Sequence, residues 1–229
     1  MSIGLISAVP FEGEIILKYL KRITTEVFEG LTCYRGRIWD KDIVYLASGI
    51  GKTNASHTVT ILIEKFSPRL VINFGVGGAY PSSGLKIGDI AIAEKEIYGD
   101  EEKYFNEFPL DKILLKKFVK SFNLITRHGS AELAEASSLV TKMKPGPFVT
   151  VSTCTGTIKR ALELEKRFNA ICENMEGVAV AHICTLYGIP MVEIRGISNI
   201  VEDRDMSKWD LKLAAENCQM VVMEFLKEI

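Results

Sequence analysis

The chain has 229 residues, 47% of them apolar, which is enough for a full core and usual for one α/β domain, expected here to span 1–229. Its 28 Lys and Arg against 29 Asp and Glu leave a net charge of −1, which offers no field for steering onto nucleic acid or an anionic membrane and suits a small, weakly charged ligand. The five cysteines form no CxxC pair, the N-terminus has no basic segment, and no apolar run reaches the ~18 residues of a membrane span, so a soluble, cytoplasmic protein without disulfide framework or zinc knuckle is expected.

Residues 3–9 are a short apolar run ending at Pro10, and 11–22 then place Ile15, Ile16, Tyr19 and Leu20 at helical spacing, so a strand feeds a helix. Pro10 is tolerated in the first turn of that helix and puts Glu12 beside its N-terminus, at the strand end. From 31 to 48 two β-rich runs flank Asp40-Lys41-Asp42, which predicts a hairpin. Residues 52–66 have helical periodicity, 69–74 are apolar and β-branched, and Gly75-Val76-Gly77-Gly78 predicts a turn that exposes backbone.

Further strands are predicted at 89–97 and 190–197, a helix at 177–187, and an amphipathic helix from about 206 to 226. Residues 127–147 read as a helix or loop insertion, because 131–140 have helical composition and Pro145-Gly146-Pro147 breaks it. The alternation predicts an α/β fold with a mostly parallel or mixed sheet covered by helices, and ligands in such folds gather outside the carboxyl ends of strands. Glu12, the Gly75 turn, Glu176 and Asn199 lie at such ends or just beyond.

Several familiar motifs fail. Gly49-Ile50-Gly51-Lys52-Thr53 ends like a phosphate-binding P-loop, yet Leu46 occupies the first glycine position. Gly75-Val76-Gly77-Gly78-Ala79-Tyr80 begins like a dinucleotide fingerprint and puts Tyr80 at its third glycine. There is no GxSxG elbow, and His57, His128 and His182 have no metal-ligand spacing. His182 reads as a hydrogen-bonded packing residue, and Cys154, lacking an identifiable base, as a small pocket-lining one.

Four segments recur in a telling order: Ile6-Ser7-Ala8-Val9-Pro10-Phe11-Glu12, Ser48-Gly49-Ile50-Gly51-Lys52, Glu173-Asn174-Met175-Glu176-Gly177 and Arg195-Gly196-Ile197-Ser198-Asn199. Together they resemble the nucleoside phosphorylase/nucleosidase superfamily over nearly the whole chain, with methylthioadenosine/S-adenosylhomocysteine nucleosidases as near members. Within it, the Val-Pro near the start, Val151-Ser152-Thr153-Cys154-Thr155-Gly156-Thr157 and Arg195-Gly196-Ile197-Ser198-Asn199 look most like the futalosine hydrolases of menaquinone biosynthesis. The resemblance implies a three-layer phosphorylase-type α/β fold around a mixed sheet, a homodimer or higher homo-oligomer, a purine nucleoside substrate and no metal or organic cofactor.

Residue roles follow from the same likeness. Glu12 matches the family's water-activating carboxylate, and Asn199 takes the catalytic position at the base. Glu176 would hold the ribose 2′ and 3′ hydroxyls, with Met175 on the sugar face and the backbone of Val76, Gly77 and Gly78 approaching it. Thr153, Cys154, Thr155 and Gly156 match the base-contact segment, and Ser7, Asn174 and Ser198 complete the implied binding set.

Where adenine-cleaving relatives carry an aspartate, this chain has Asn199, whose NH₂ can donate to a 6-oxo group while its carbonyl accepts from a protonated 7-nitrogen. The pattern fits hypoxanthine and mismatches adenine by on the order of 1–3 kcal/mol. With no arginine around 7–12 or 75–79 to hold a dianion, water is the expected acceptor. Tyr104, Phe105 and Phe108 leave two uses open, closing over a 5′ substituent or packing the core. Standing against this reading are an adenine-specific nucleosidase (for methylthioadenosine, adenosylhomocysteine or aminodeoxyfutalosine), a purine nucleoside phosphorylase, and a non-catalytic nucleoside-binding module on the same fold. Alone, Glu12 is better explained by a helix dipole, and Asn199 equally well by a turn cap.

Overall fold

A computed structural model describes residues 1–100, 107–117, 119 and 142–229. Among the described residues, ten strands form one mixed sheet. β1 (Ile3–Ser7), buried at every position, runs parallel between β4 (Lys41–Ala47) and β5 (Leu70–Ala79). β2 (Lys21–Phe28) and β3 (Leu31–Ile38) extend the sheet beyond β4 as an antiparallel meander, so the hairpin around Asp40 forms as expected.

On the other side of β5 the sheet closes on itself. β5 pairs with β10 (Met191–Ile200), β10 with β6 (Ile90–Tyr98), β6 with β8 (Met143–Thr150), β8 with β9 (Cys172–Asn174), and β9 returns to β5. The short β7 (Glu107–Pro109) adds to β6. Side chains alternate along the strands, which sends Ile6 and Val71 to one core and Leu5 and Ile72 to the other.

The first core packs beneath α2 (Lys52–Phe66) and α4 (Gly177–Tyr187). The second packs beneath α1 (Glu14–Tyr19) and α5 (Leu211–Glu228), where Ile16, Val222, Phe225 and Leu226 cover Leu5, Phe74 and Ile194. A smaller cluster beneath α3 (Ile158–Phe168) joins Leu164 and Phe168 to Val149 and Tyr80. Helices on both faces of a central mixed sheet are the arrangement read from the sequence. Among the described residues, no helix is long and apolar enough to cross a membrane.

Four expectations need correction. The first helix ends at Tyr19, because Leu20 is extended and Arg22 sits at φ 55, and the chain turns into β2. β2 is exposed along most of its length, so no alternation of burial announces it. The residues Gly75 to Gly78 are not a turn: they continue β5 and pair with Arg195 to Asn199 of β10.

Pro145-Gly146-Pro147 does not break the chain but lies inside β8, where strand pairing is recorded only toward β6, an edge on which a missing N–H is tolerated. The rest of that stretch, 127–141, lies outside the described residues. Finally, 206–226 is two elements, a 3₁₀ turn Met206–Lys208 and then α5, which Asp210 caps by accepting from the Leu213 N–H at 2.9 Å.

Candidate active site

The carboxyl ends of β1, β5, β9 and β10 converge on a cavity of about 220 Å³. Of the residues expected there, Glu12, Val76, Gly78, Cys154, Thr155, Asn174, Met175, Glu176, Ser198 and Asn199 line it. Ser7, Gly77, Thr153 and Gly156 do not. Ser7 is fully buried and bonds Tyr45 Oη at 2.9 Å and the Val9 carbonyl at 3.2 Å. Gly77 faces Cys172 across the sheet, Thr153 is exposed, and Gly156 lies under the Arg204 guanidinium.

Glu12 is brought in by the 3₁₀ turn that Pro10 opens at the end of β1. Its Oε2 accepts from the N–H groups of Ala8 (2.9 Å) and Val9 (3.0 Å), and its Oε1 from Val76 N–H (2.8 Å). Burial raises its pKa above the usual carboxylate value, and the Arg195 charge and the backbone donors offset only part of that rise. The close approach requires Gly75, which sits at φ 152 and whose missing Cβ would collide with the Glu12 carboxylate.

Glu176 stands at the N-terminal end of α4, its Oε1 accepting from Gly51 N–H at 2.9 Å and its Oε2 3.6 Å from Arg195 Nη1. The failed P-loop thus supplies an amide to a carboxylate rather than to a phosphate. Asn174 lines the cavity with its polar atoms committed elsewhere: Oδ1 accepts from the N–H groups of Glu176 (2.9 Å) and Gly177 (2.7 Å), and Nδ2 donates to Glu96 Oε1 (2.6 Å). It holds the start of α4. Met175 packs beside Cys154, with the sulfurs 3.4 Å apart, and burial raises the Cys154 thiol pKa, as suits a lining residue rather than a nucleophile.

Asn199 is the penultimate residue of β10, just past a register shift, and is buried, Oδ1 accepting from Ser198 Oγ at 2.8 Å and Nδ2 donating to the Ile200 carbonyl at 3.2 Å. His182 bonds Tyr98 through Nδ1 at 3.1 Å and stacks on Phe108 with centroids 4.5 Å apart. Phe108 is therefore core packing; Tyr104 and Phe105 lie outside the described residues.

Sequence reasoning gave no role to two polar residues of the cavity. Arg195, fully buried, enters through the register of β10 with Gly75, so an arginine does reach the site from outside the segments searched for one. Its Nε donates to Glu193 Oε1 at 2.9 Å, and Nη1 donates to the Val76 carbonyl at 3.3 Å. Although burial opposes its charge, Glu193, Glu176 and Glu12 together hold it protonated, well above its ordinary pKa. Behind it, Glu193 and Glu96 form a fully buried carboxyl pair. Burial first and the Glu193 charge second push Glu96 far above the carboxylate range, and burial raises Glu193 as well, so the two titrate as a pair.

The other is Glu173, on β9. It directly precedes Asn174, Met175 and Glu176, which all line the cavity with it, and its place in that run was the available signal. Phe11, Trp209 and Leu211 complete the apolar wall; Trp209 and Leu211 arrive through the bond from Asp210 N–H to the Ser198 carbonyl at 2.9 Å, which no local pattern encodes.

Comparison with known proteins agrees with this picture. The Phosphorylase superfamily profile matches residues 2–227. The chain is 29% identical over 234 residues to the 5'-methylthioadenosine/S-adenosylhomocysteine nucleosidase of Maridesulfovibrio salexigens, covering 100% of both chains. A solved methylthioadenosine/S-adenosylhomocysteine nucleosidase of Colwellia psychrerythraea, in complex with adenine, superposes with a TM-score of 0.87 at 25% identity, over 100% of this chain and 95% of that one. The futalosine hydrolase of Helicobacter pylori shares the fold at a TM-score of 0.88 and 21% identity, over 100% and 98%. The chain belongs to the Phosphorylase superfamily, and it is an enzyme of the nucleosidase kind, an N-glycosyl hydrolase.

Proposed function

We propose that this nucleosidase hydrolyses the N-ribosidic bond of a 6-oxopurine nucleoside, with futalosine as substrate and hypoxanthine as the leaving base, in menaquinone biosynthesis. The observation that carries the reading is Asn199 in the cavity wall. One amide hydrogen is committed to Ile200 and one oxygen lone pair to Ser198, which leaves one donor and one acceptor for the base. That pair matches O6 and a protonated N7 of hypoxanthine, whereas adenine would set its amino group against the amide donor.

Glu12 is the proposed base for water. An ionised carboxylate offers about four acceptor sites. Three are taken by backbone N–H groups, which fix the carboxylate and leave a place for the attacking water. Glu176 keeps acceptor capacity on both oxygens for the ribose hydroxyls and faces the sugar with negative charge as oxocarbenium character develops. Arg195 does not make a phosphate site, because Glu193, Glu176 and Glu12 already surround it, and a dianion would meet those carboxylates. The homo-oligomer belongs to the same proposal.

A second reading is favoured by one specific observation, the naming of full-length relatives as methylthioadenosine/S-adenosylhomocysteine nucleosidases. It predicts adenine release and requires Asn199 to serve adenine. The reaction type is tested by following hypoxanthine release from futalosine with and without inorganic phosphate. Equal rates and free ribosyl product are expected; a strict phosphate requirement with a ribose 1-phosphate product would overturn hydrolysis.

A further inference from the structure

We infer that Glu173 is a second base-reading residue, its carboxylate accepting the N1–H of a 6-oxopurine while Asn199 addresses O6 and N7. The inference rests on reading the cavity as an oxopurine site and adds the feature that makes the preference a two-point one.

The sheet creates the juxtaposition. Gly78 of β5 is paired with Glu173 of β9 on one side and with Asn199 of β10 on the other. Because Gly78 has no side chain, the two residues approach the same spot beside Val201: a Cβ there would lie 2.8 Å from Val201 Cγ2, 3.2 Å from Asn199 Nδ2 and 3.5 Å from Glu173 Cγ. Both residues line the cavity and both are buried. Along the purine edge N7, O6 and N1 follow one another, so a group that neighbours the Asn199 amide meets the base at N1.

The chemistry of Glu173 fits that place. Its Oε1 accepts from Thr155 N–H at 2.9 Å and its Oε2 from Tyr80 Oη at 3.2 Å. Two donors leave about two of a carboxylate's four acceptor sites unused on a residue that lines the cavity. Burial raises its pKa, and the bonds from Thr155 and Tyr80 and the charge of Arg204, which is not within ion-pair distance, offset part of that rise and favour the ionised form. A 6-oxopurine offers N1–H as a donor at this point, and a buried carboxylate accepts it with charge-assisted strength. A 6-aminopurine offers the N1 lone pair instead, which the carboxylate repels. The nearby Cys154 carbonyl, an acceptor that could serve an amino group, already spends one of its two lone pairs on the Arg204 guanidinium. Since guanine and xanthine carry the same N1–H, Glu173 selects the 6-oxopurine class and not hypoxanthine within it.

The test compares futalosine with its 6-amino-6-deoxy analogue, two substrates that differ only at the base, in the native enzyme and in Glu173→Gln and Glu173→Met. The native enzyme should favour futalosine in kcat/KM; the ratio should fall about tenfold in E173Q, where acceptance loses its charge, and about a hundredfold in E173M. As a measurement that needs no variant, hypoxanthine should inhibit the native enzyme at least tenfold better than 1-methylhypoxanthine. A native enzyme that prefers the 6-amino substrate overturns the oxopurine reading and this inference together. A native preference for futalosine with an unchanged ratio in both variants, an equal loss on both substrates, or equal inhibition by the two bases overturns the role of Glu173 alone.

Discussion

Changing Asn199 to Asp replaces the amide NH₂ by an oxygen and leaves the backbone untouched. The Ser198 hydroxyl can still donate to one carboxylate oxygen, but the bond to the Ile200 carbonyl, 3.2 Å in the native chain, becomes a contact between two acceptors. That loss should lower stability by about 1–3 kcal/mol unless the carboxyl is protonated. At the base, futalosine loses the donor to O6, worth about 1–3 kcal/mol when a buried polar group is left unmatched, or roughly ten- to hundredfold in kcat/KM. An adenine nucleoside gains an acceptor for its amino group and a proton source for N7 by a similar amount. The ratio of the two kcat/KM values should therefore swing by roughly a hundredfold or more toward the 6-amino analogue, read by chromatography of released bases. A ratio that stays within twofold while the variant remains folded would refute the assignment of Asn199 as a base reader.

Replacing Glu12 with Gln should lower kcat by roughly 10²–10⁴-fold with ligand binding retained in calorimetry, as expected of a general base. Because Glu12 must be ionised to act and burial raises its pKa, kcat/KM should fall on an acid limb whose midpoint lies above the ordinary 4.5, and E12Q should lack that limb. Glu96 predicts a stability trend of opposite origin. With its folded pKa raised, its contribution is fully present below about 4.5 and is lost as the pH rises through the folded value, at up to about 1.4 kcal/mol per pH unit. Denaturant titrations across pH should show that slope in the native chain and a shallower one in E96Q, since Glu12, Glu173 and Glu193 are raised as well, with turnover little changed. Gly75→Ala forces a methyl into the Glu12 carboxylate at φ 152 and should cost about 1–3 kcal/mol of stability together with most of the activity, seen in thermal melts and base release.

How far the sequence could be read depended on how local each signal was. β1 and the hairpin around Asp40 were legible from short β-rich runs, β1 being apolar because both its faces are buried, and α2 and α4 from a 3.6-residue stripe against one core. β2 was not, since it is solvent-exposed along most of its length, and β8 was hidden by prolines that only the one-sided pairing excuses. Glu12, Glu176 and Asn199 could be placed at strand ends from motif order alone. Arg195 and Glu173 lay within quoted motifs, yet their arrival in the cavity depends on sheet register, which brings Arg195 opposite Gly75 and Glu173 opposite Gly78. Asn174 shows the converse: a residue that family likeness assigned to the substrate is consumed by the start of α4.

The central claim is that the enzyme releases hypoxanthine by hydrolysis. It is tested most directly by giving the purified protein futalosine and methylthioadenosine in separate phosphate-free reactions at equal concentration and measuring the initial rate of base release. Faster release of hypoxanthine from futalosine is the predicted result. Faster release of adenine from methylthioadenosine would contradict the account and return the chain to the activity for which its relatives are named.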